Sequence, residues 1–550
     1  MTDQDDLGKE NDESKSLENT PNKQGTSFRD LLCEELQVDK ALLLYKGFYF
    51  LFFAGFGASF PYMALYFKQI GLNASSVGIL AGIRPMIQFI SGPFWAMLAD
   101  RYKARKAVLL FSILSWLVMT LALLIPKPYN TYCKNLMENS NENVSIFTGR
   151  HSRRGGVDLQ IDNVISVDID HQRNPRKVKE KLPSLIGNAP FRTFFIHGSS
   201  TQLSEYEVSS SKKFKLIFDQ KEIYRVYIYL LILVVGGEFL EAPTFIMADT
   251  GLLQKLGEKR RHYGKTRLFG SLGFAFASLI VGELLDMTEY KYCGRVMNNY
   301  NILFYSFAII MALAFVFAAW MFEFTYEDVS DDSDGKSSTK ELLTLLLKFR
   351  YAYFITISFF LGFSNGLFFN FLNWHLEDLG ASKSLMGIGT IFRAMALIIA
   401  YLFNAFLSQL CGHVNLMLVS VAAYFILFGS FSIIQNPWWA LPLEFLEGLT
   451  YGTTWSTAVT HLADATPKGG AATMQGILQG VYWGLGGGLG AILGGVLIDE
   501  YGTVPSFRLG ALMSVAVLIV GGFIQYCISY QKKKAKSEEK QAVEDIIDDF

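Results

Sequence analysis

The chain has 550 residues, 51% of them hydrophobic and 15% aromatic, which is more apolar surface than a soluble core of that length can bury, so the excess must face lipid. The formal charge is -1, and the basic residues fall in short segments between hydrophobic runs, which excludes a nucleic-acid surface. Five cysteines are too few for a disulfide scaffold. No phosphate-binding loop, metal-spaced His/Cys cluster or nucleophile elbow is present in the sequence, so no metal, cofactor, ATP-driven step or enzymatic reaction is expected.

Residues 1–40 form a polar, acidic tail with no basic-then-apolar leader, so the first apolar helix is expected to serve as the targeting signal and to remain in place. A bilayer crossing needs roughly 20 apolar residues. Such runs occur at 41–68, 75–99, 106–126, 224–249, 266–286 and 301–323, and again at 351–375, 385–410, 414–435, 438–461, 471–498 and 506–530. The predicted fold is therefore all-α and integral to the membrane, with twelve transmembrane helices in two six-helix bundles, 41–323 and 351–530. The bundles are joined by a linker, 324–350, that carries Glu327, Asp328, Asp331, Asp332 and Asp334 and an amphipathic run from Ser338 to Lys348. Residues 531–550 read as a solvated tail.

Short loops orient the helices through Lys and Arg. Arg101, Lys103, Arg105 and Lys106 follow span two, and Lys259, Arg260, Arg261 and Lys265 follow span four, which places both loops in the cytosol. An even span count then puts both termini there, in agreement with Lys532, Lys533, Lys534 and Lys536 after the last span. The hydrophilic segment 127–222 is exofacial by the same count, and a segment longer than about 60 residues translocates largely regardless of its charge. Its Gly, Asn, Ser and charge content predicts substantial disorder, and Asn143-Val-Ser145 is a glycosylation acceptor on the correct side. Cys133 and Cys293 both lie outside, whereas Cys33, Cys411 and Cys527 lie inside, so the compartments permit one disulfide, Cys133 to Cys293, or two free thiols.

The two halves repeat one another. Gly71, Gly78 and Arg84 recur at identical spacing as Gly380, Gly387 and Arg393, and the same offset pairs Gly57 with Gly366, Phe60 with Phe369 and Met86 with Met395. Span two is thus the counterpart of span eight. Glu238-Phe-Leu-Glu241 in span four is echoed by Glu444-Phe-Leu-Glu447 in span ten, and aligning the helices that follow through Gly264 and Gly470 preserves that spacing.

The loop Ala96-Met-Leu-Ala-Asp100-Arg101-Tyr-Lys103-Ala-Arg105-Lys106 resembles the signature loop of the major facilitator superfamily, with Ala96 and Lys103 in place of two usual glycines. Its counterpart around Cys411-Gly412-His413 is degraded. Glu241-Ala-Pro243, Tyr263-Gly264-Lys-Thr-Arg267 with Gly270 and Gly273, and Gln475-Gly476-Ile-Leu-Gln479-Gly480-Val-Tyr-Trp483-Gly484 resemble the family of major facilitator superfamily domain-containing protein 6. That family is similar to the bacterial lactose and nucleoside proton symporters. The resemblance implies that spans one, four, seven and ten line a central cavity while two, five, eight and eleven meet between the halves. It also implies a plasma-membrane or endomembrane location and, for some members, a cell-surface receptor role.

Charges buried in the bilayer are costly and mark function. Arg84 and Arg393 lie within spans two and eight, and the pairs Glu238/Glu241 and Glu444/Glu447 each share one helix face. On the implied map they can meet across the cavity, as a substrate or proton site or as plain buried ion pairs. Asn365, Asn370, Asn373 and His375 in span seven and Gln475, Gln479, Tyr482 and Trp483 in span eleven add amides and rings suited to a polar solute. Polar contacts between helices would produce the same stripe. His375 reads as solvated at the outer membrane surface, and Asp100 with Arg101 as a cytosolic gate.

The expected function is secondary-active, proton-coupled symport of a small polar organic solute by alternating access, in a monomer surrounded by membrane lipids. The alternative is a non-transporting surface protein that binds an extracellular protein ligand through segment 127–222.

Overall fold

The computed structural model describes residues 40–129, 131–135, 191–192, 207–208, 214–257, 263–293, 295–324, 344, 346–466 and 471–548. Asn143, most of the segment between spans three and four, most of the linker and nearly all of the N-terminal tail lie outside these residues.

In the first half the spans are Lys40–Gln69, Ala74–Arg101, Arg105–Ala122, the two-part fourth span Gln220–Glu241 and Pro243–Leu256, Tyr263–Met287 and Asn301–Met321. In the second they are Phe349–Asp378, Lys383–Cys411, His413–Phe431, Ala440–Ala465, the three-part eleventh span Ala471–Gln479, Gly480–Gly487 and Gly488–Tyr501, and Thr503–Asp548. Eleven of these are long and apolar enough to cross a membrane. Span ten is too polar to join them, because Glu444, Glu447 and several threonines and glycines interrupt its apolar run. Span twelve continues as helix to Asp548, through the residues read from sequence as a solvated tail; their Ala, Lys, Glu and Gln content favours helix.

Repeated sequence gives repeated starts. Asn73 Oδ1 accepts from Ser76 N at the head of span two, and Ser382 Oγ accepts from Leu385 N at the equivalent head of span eight. Packing is repeated as well: span one lies against five and six, seven against eleven, and eight against ten. The halves meet along two seams, span two on eleven and span five on eight.

Glycines set how closely these seams close. A Cβ at Gly57 would overlap the carbonyl oxygen of Phe274, and one at Gly366 would overlap that of Gly487. The offset from Phe274 to Gly487 also carries Gly282 onto Gly495, and a Cβ at either would stand 2.5 Å from a carbonyl of the other half, Lys383 O and Ala74 O respectively. These contacts correct the alignment of spans five and eleven through Gly264 and Gly470. A Cβ at Gly264 meets nothing within 4 Å, so no packing holds that glycine in place as a landmark.

At the end of the bundle that bears the long inserted segment, strand β1 (Thr131–Asn135) pairs antiparallel with β4 (Phe214–Phe218). The short strands β2 (Phe191–Arg192) and β3 (Glu207–Val208) also pair, and β5 (Tyr290–Tyr292) and β6 (Arg295–Met297) form a hairpin. Cys133 is disulfide-bonded to Cys293, which ties the β1–β4 ribbon to that hairpin with the Cα atoms 5.7 Å apart. His375 is not solvated. It is 1% exposed among Phe431 and Phe507, with its ring nitrogens 2.9 Å from Thr503 Oγ1 and 2.9 Å from Phe431 O.

Candidate substrate and proton site

Span four breaks at Ala242–Pro243, one residue past Glu241. Proline has no N–H to give Phe239 O, and Trp95 Nε1 of span two donates to that carbonyl instead at 2.7 Å. Thr244 Oγ1 donates to Glu241 O at 2.8 Å. The break therefore costs no unmade hydrogen bond at these carbonyls, and it places the Glu238/Glu241 turn beside span two.

There Arg84 Nε lies 2.5 Å from Glu238 Oε1, and Gln88 Nε2 donates to Glu238 Oε2 at 3.0 Å. Glu241 is 2% exposed and its Oε2 has no hydrogen-bond partner. A cavity of about 10 Å³, room for little more than a water, is lined by Arg84, Thr120, Glu238 and Glu241.

The second half repeats the arrangement. Arg393 Nε and Nη2 donate to Glu444 Oε2 at 2.8 and 2.5 Å, and Arg393 Nε also lies 3.0 Å from Glu447 Oε2 without making a hydrogen bond. Asn365 Nδ2 donates to Glu447 Oε1 at 3.3 Å and to Tyr424 Oη at 3.2 Å. Both sets thus close within their own half, span two to four and eight to ten, and not across the cavity as expected. The fourth and tenth spans pack directly on the second and eighth, so the nearest carboxylates are internal to each bundle.

Beside Arg84 lies a cavity of about 30 Å³, lined mainly by the first half, with Phe60, Pro61 and Ala81, and by Phe369 and Asn370 of the second. On the side that bears the Cys133–Cys293 disulfide the halves are bolted together. Lys68 Nζ contacts Glu377 and Asp378 at 2.9 and 2.6 Å, and Asn373 Nδ2 donates to Pro61 O at 2.8 Å. Asp286 accepts from Lys383 N and Ser384 N at 2.8 and 2.7 Å, while Asp499 accepts from Asn73 Nδ2 and Ser75 Oγ at 2.7 and 2.8 Å. Each aspartate closes span five or eleven onto the head of the facing helix. At the opposite end Asp100 is exposed and accepts from Arg105 Nε at 2.6 Å, and Arg101 is exposed.

Residues 42–509 match the model of the MFS_1 like family. The chain belongs to that family. Membership makes it a multi-pass membrane transporter of the major facilitator type, not an enzyme. It is 23% identical to major facilitator superfamily domain-containing protein 6-like of Danio rerio over 88% of this chain and 87% of that one. The Homo sapiens protein of the same description is 22% identical over 74% of this chain and 78% of its own length. Among solved structures, the nucleoside transporter NupG aligns over 88% of this chain and 98% of its own, at 13% identity and a TM-score of 0.59. A D-xylose-proton symporter aligns over 87% and 95%, at 12% identity and a TM-score of 0.53. These likenesses are likenesses of fold.

Of the sequence-predicted residues, Arg84, Glu238 and Glu241 come together in one half, and Arg393, Glu444, Glu447 and Asn365 in the other. Gln479 is exposed, Gln475 and Trp483 are half-buried, and Tyr482 is fully buried. An α-helical period had placed these four on one face. A π-helical segment, Gly480–Gly487, begins directly after Gln479 and widens the repeat, so the residues that follow it point in other directions than a continuous α period would give them. Sequence reasoning missed Gln88 and Tyr424, which carry no charge to single them out. It also missed the set Tyr49–Asp249–Arg267, with Tyr49 Oη 2.5 Å and Arg267 Nη1 3.1 Å from Asp249. For this set a signal existed: Asp249 and Arg267 are further charges within or beside apolar spans.

Proposed function

We propose that the protein is a proton-coupled symporter of a small polar organic solute, with Arg84, Glu238 and Glu241 as the proton-handling set. The solute would be held between the halves by the set around Arg393, with Asn365, Gln475, Gln479 and Trp483 as candidate contacts and Asp100 and Arg101 as a cytosolic gate. The observation that carries this reading is a charge count. Each half buries two carboxylates against one guanidinium, so each set has one negative charge without a partner. An unpaired buried charge costs several kcal/mol, so a proton or a cationic group has to balance it. The 10 Å³ space beside Glu241 admits no solute, which leaves a proton on that side.

Alternating exposure of Glu241 would load and release that proton as the halves rock. The test is proton flux into liposomes across a solute library. A solute-dependent flux in the wild type that is lost in Glu241→Gln supports the reading. Solute uptake without proton movement would make the protein a uniporter. No uptake by well-folded protein would favour the receptor alternative, which replacement of residues 140–215 by a short linker would then address.

A further inference from the structure

Among the described residues, the second half surrounds its glutamate pair with polar aromatic rings where the first uses Phe245 among Phe52, Phe53 and Trp116. Glu447, Tyr451, Thr454 and Trp455 occupy one face of span ten, at intervals of four, three and one residues. Span eleven turns Tyr482 and Trp483 toward them from its π-helical segment. The ring centroids of Tyr451 and Trp483 are 5.7 Å apart, those of Trp455 and Tyr482 5.5 Å, and those of Tyr482 and Trp483 5.6 Å.

Four polar atoms at this cluster are buried and lack a hydrogen-bond partner: Glu447 Oε2, Asn365 Oδ1, Tyr482 Oη and Thr454 Oγ1. All four can accept a hydrogen bond. Their residues are between 0% and 4% exposed. Buried acceptors are ordinarily satisfied, and these lie on helices that also bury Glu447, a carboxylate that shares the one guanidinium of Arg393 with Glu444, so a donor that carries positive charge would suit them. Aromatic faces around a carboxylate are the surroundings an ammonium ion binds best, through the ring quadrupoles and the opposite charge together.

The equivalent places in the first half are filled differently. The offset of the glutamate pairs carries Tyr451 and Trp455 back onto Phe245 and Asp249, and the offset of spans five and eleven carries Tyr482 and Trp483 back onto Phe269 and Gly270. There Asp249 is already engaged by Tyr49 and Arg267. Arg267 also approaches Tyr401 and Tyr451 from the other half, with its charge offset by Asp249. The two halves are thus alike in their Arg–Glu sets and unlike in what surrounds the spare carboxylate.

We infer that the aromatic cluster of Tyr451, Trp455, Tyr482 and Trp483, with Glu447, Asn365 and Thr454, is the solute site and that the solute is an organic ammonium ion. The inference rests on the transporter reading and names its substrate class. In the bound state the ammonium group faces Glu447 Oε2 and the rings, its N–H groups reach Asn365 Oδ1 or Tyr482 Oη, and Arg393 keeps Glu444.

The test is equilibrium binding to full-length protein in nanodiscs with no pH gradient, so that it reads the site even if proton coupling is absent. The probes are butylammonium against its neutral analogue pentan-1-ol, and choline against 3,3-dimethylbutan-1-ol. Saturable binding of at least one ammonium, with its neutral partner weaker by about tenfold or more, is expected. Glu447→Gln and Trp483→Leu should each weaken ammonium binding by about tenfold and leave the neutral compounds unaffected. Should Glu447→Gln fail to fold, Trp483→Leu carries the test alone. Equal binding of charged and neutral partners, no binding of either ammonium, or ammonium binding indifferent to both substitutions would overturn the inference.

Discussion

Phe60 and Phe369 stack on each other across the junction of the two halves, with ring centroids 5.3 Å apart and planes inclined by 30°. Each ring also carries the arginine of its own half, Arg84 at 5.9 Å from Phe60 and Arg393 at 5.2 Å from Phe369. The two phenylalanines are repeat equivalents, so a single pair of rings sits on the pseudo-symmetry axis and stands between the two guanidinium groups. An aromatic pair contributes about 0.5–1.5 kcal/mol beyond its buried area. A double-mutant cycle of Phe60→Ala and Phe369→Ala, read by unfolding in mixed micelles, should give a coupling of ~1 kcal/mol. A coupling near zero would mean that the rings merely touch.

Arg393 neutralises a site that holds two buried carboxylates. Arg393→Leu leaves both unpaired and should destabilise the protein by about 3–5 kcal/mol, seen as a lower melting temperature on size-exclusion chromatography of heated samples. Adding Glu444→Gln removes the carboxylate that Arg393 holds most closely and should restore a large part of that loss. If Arg393→Leu melts like the wild type, the ion pair carries no stability and the charge count behind the proposed function loses its basis.

Much of this architecture was legible in the sequence because it is written in long apolar runs and in exact repeats of arginine, glutamate and glycine spacing. All twelve helices were anticipated, and the arginines and glutamates were expected to meet, but across the cavity and not within each half. What could not be read was the direction of each side chain where the helix departs from an α period. The π-helical segment at Gly480–Gly487 alters the facing of every residue beyond Gln479, and no single residue announces it. His375 misled for a related reason: position along the span suggested solvent, whereas its partners Thr503 and Phe431 O come from helices far away in sequence. The glutamates were expected to reach across the cavity, and only the packing of span four on two and ten on eight decides that they do not.

Asp286 and Asp499 close the disulfide-bearing side, the one the loop charges assign to the outside, in matching ways, each accepting charge-assisted hydrogen bonds at the start of the facing helix. Such bonds contribute about 1.5–3 kcal/mol each, so removing the charge from both should shift the halves toward an outwardly open form by about tenfold or more. Asn370 lines the cavity beside Arg84 at the junction of the halves, and a cysteine placed there reports on that opening. In Asp286→Asn with Asp499→Asn, Asn370→Cys should react faster with a membrane-impermeant maleimide added outside than it does with both aspartates intact. An unchanged rate would show that the outer closure rests on apolar packing instead. Faster labelling from the opposite side would show that the orientation read from the loop charges is reversed.

The register of spans five and eleven can be tested through glycines alone. Gly366 lies so close to Gly487 O that no side chain fits, so Gly366→Ala must push span seven away from span eleven, at a cost of about 1–3 kcal/mol. Gly57→Ala faces the same obstruction from Phe274 O and should cost about as much. Gly264 and Gly476 have open space around the position a Cβ would take. Alanine at either should be neutral or stabilising by up to about 1 kcal/mol, since glycine inside a helix is the poorer helix former. Thermal melting of the four variants in one detergent separates the two alignments. Losses at Gly57 and Gly366 with none at Gly264 support the register set by Phe274 and Gly487, whereas a loss at Gly264 as large as that at Gly366 would restore the equivalence of Gly264 with Gly470.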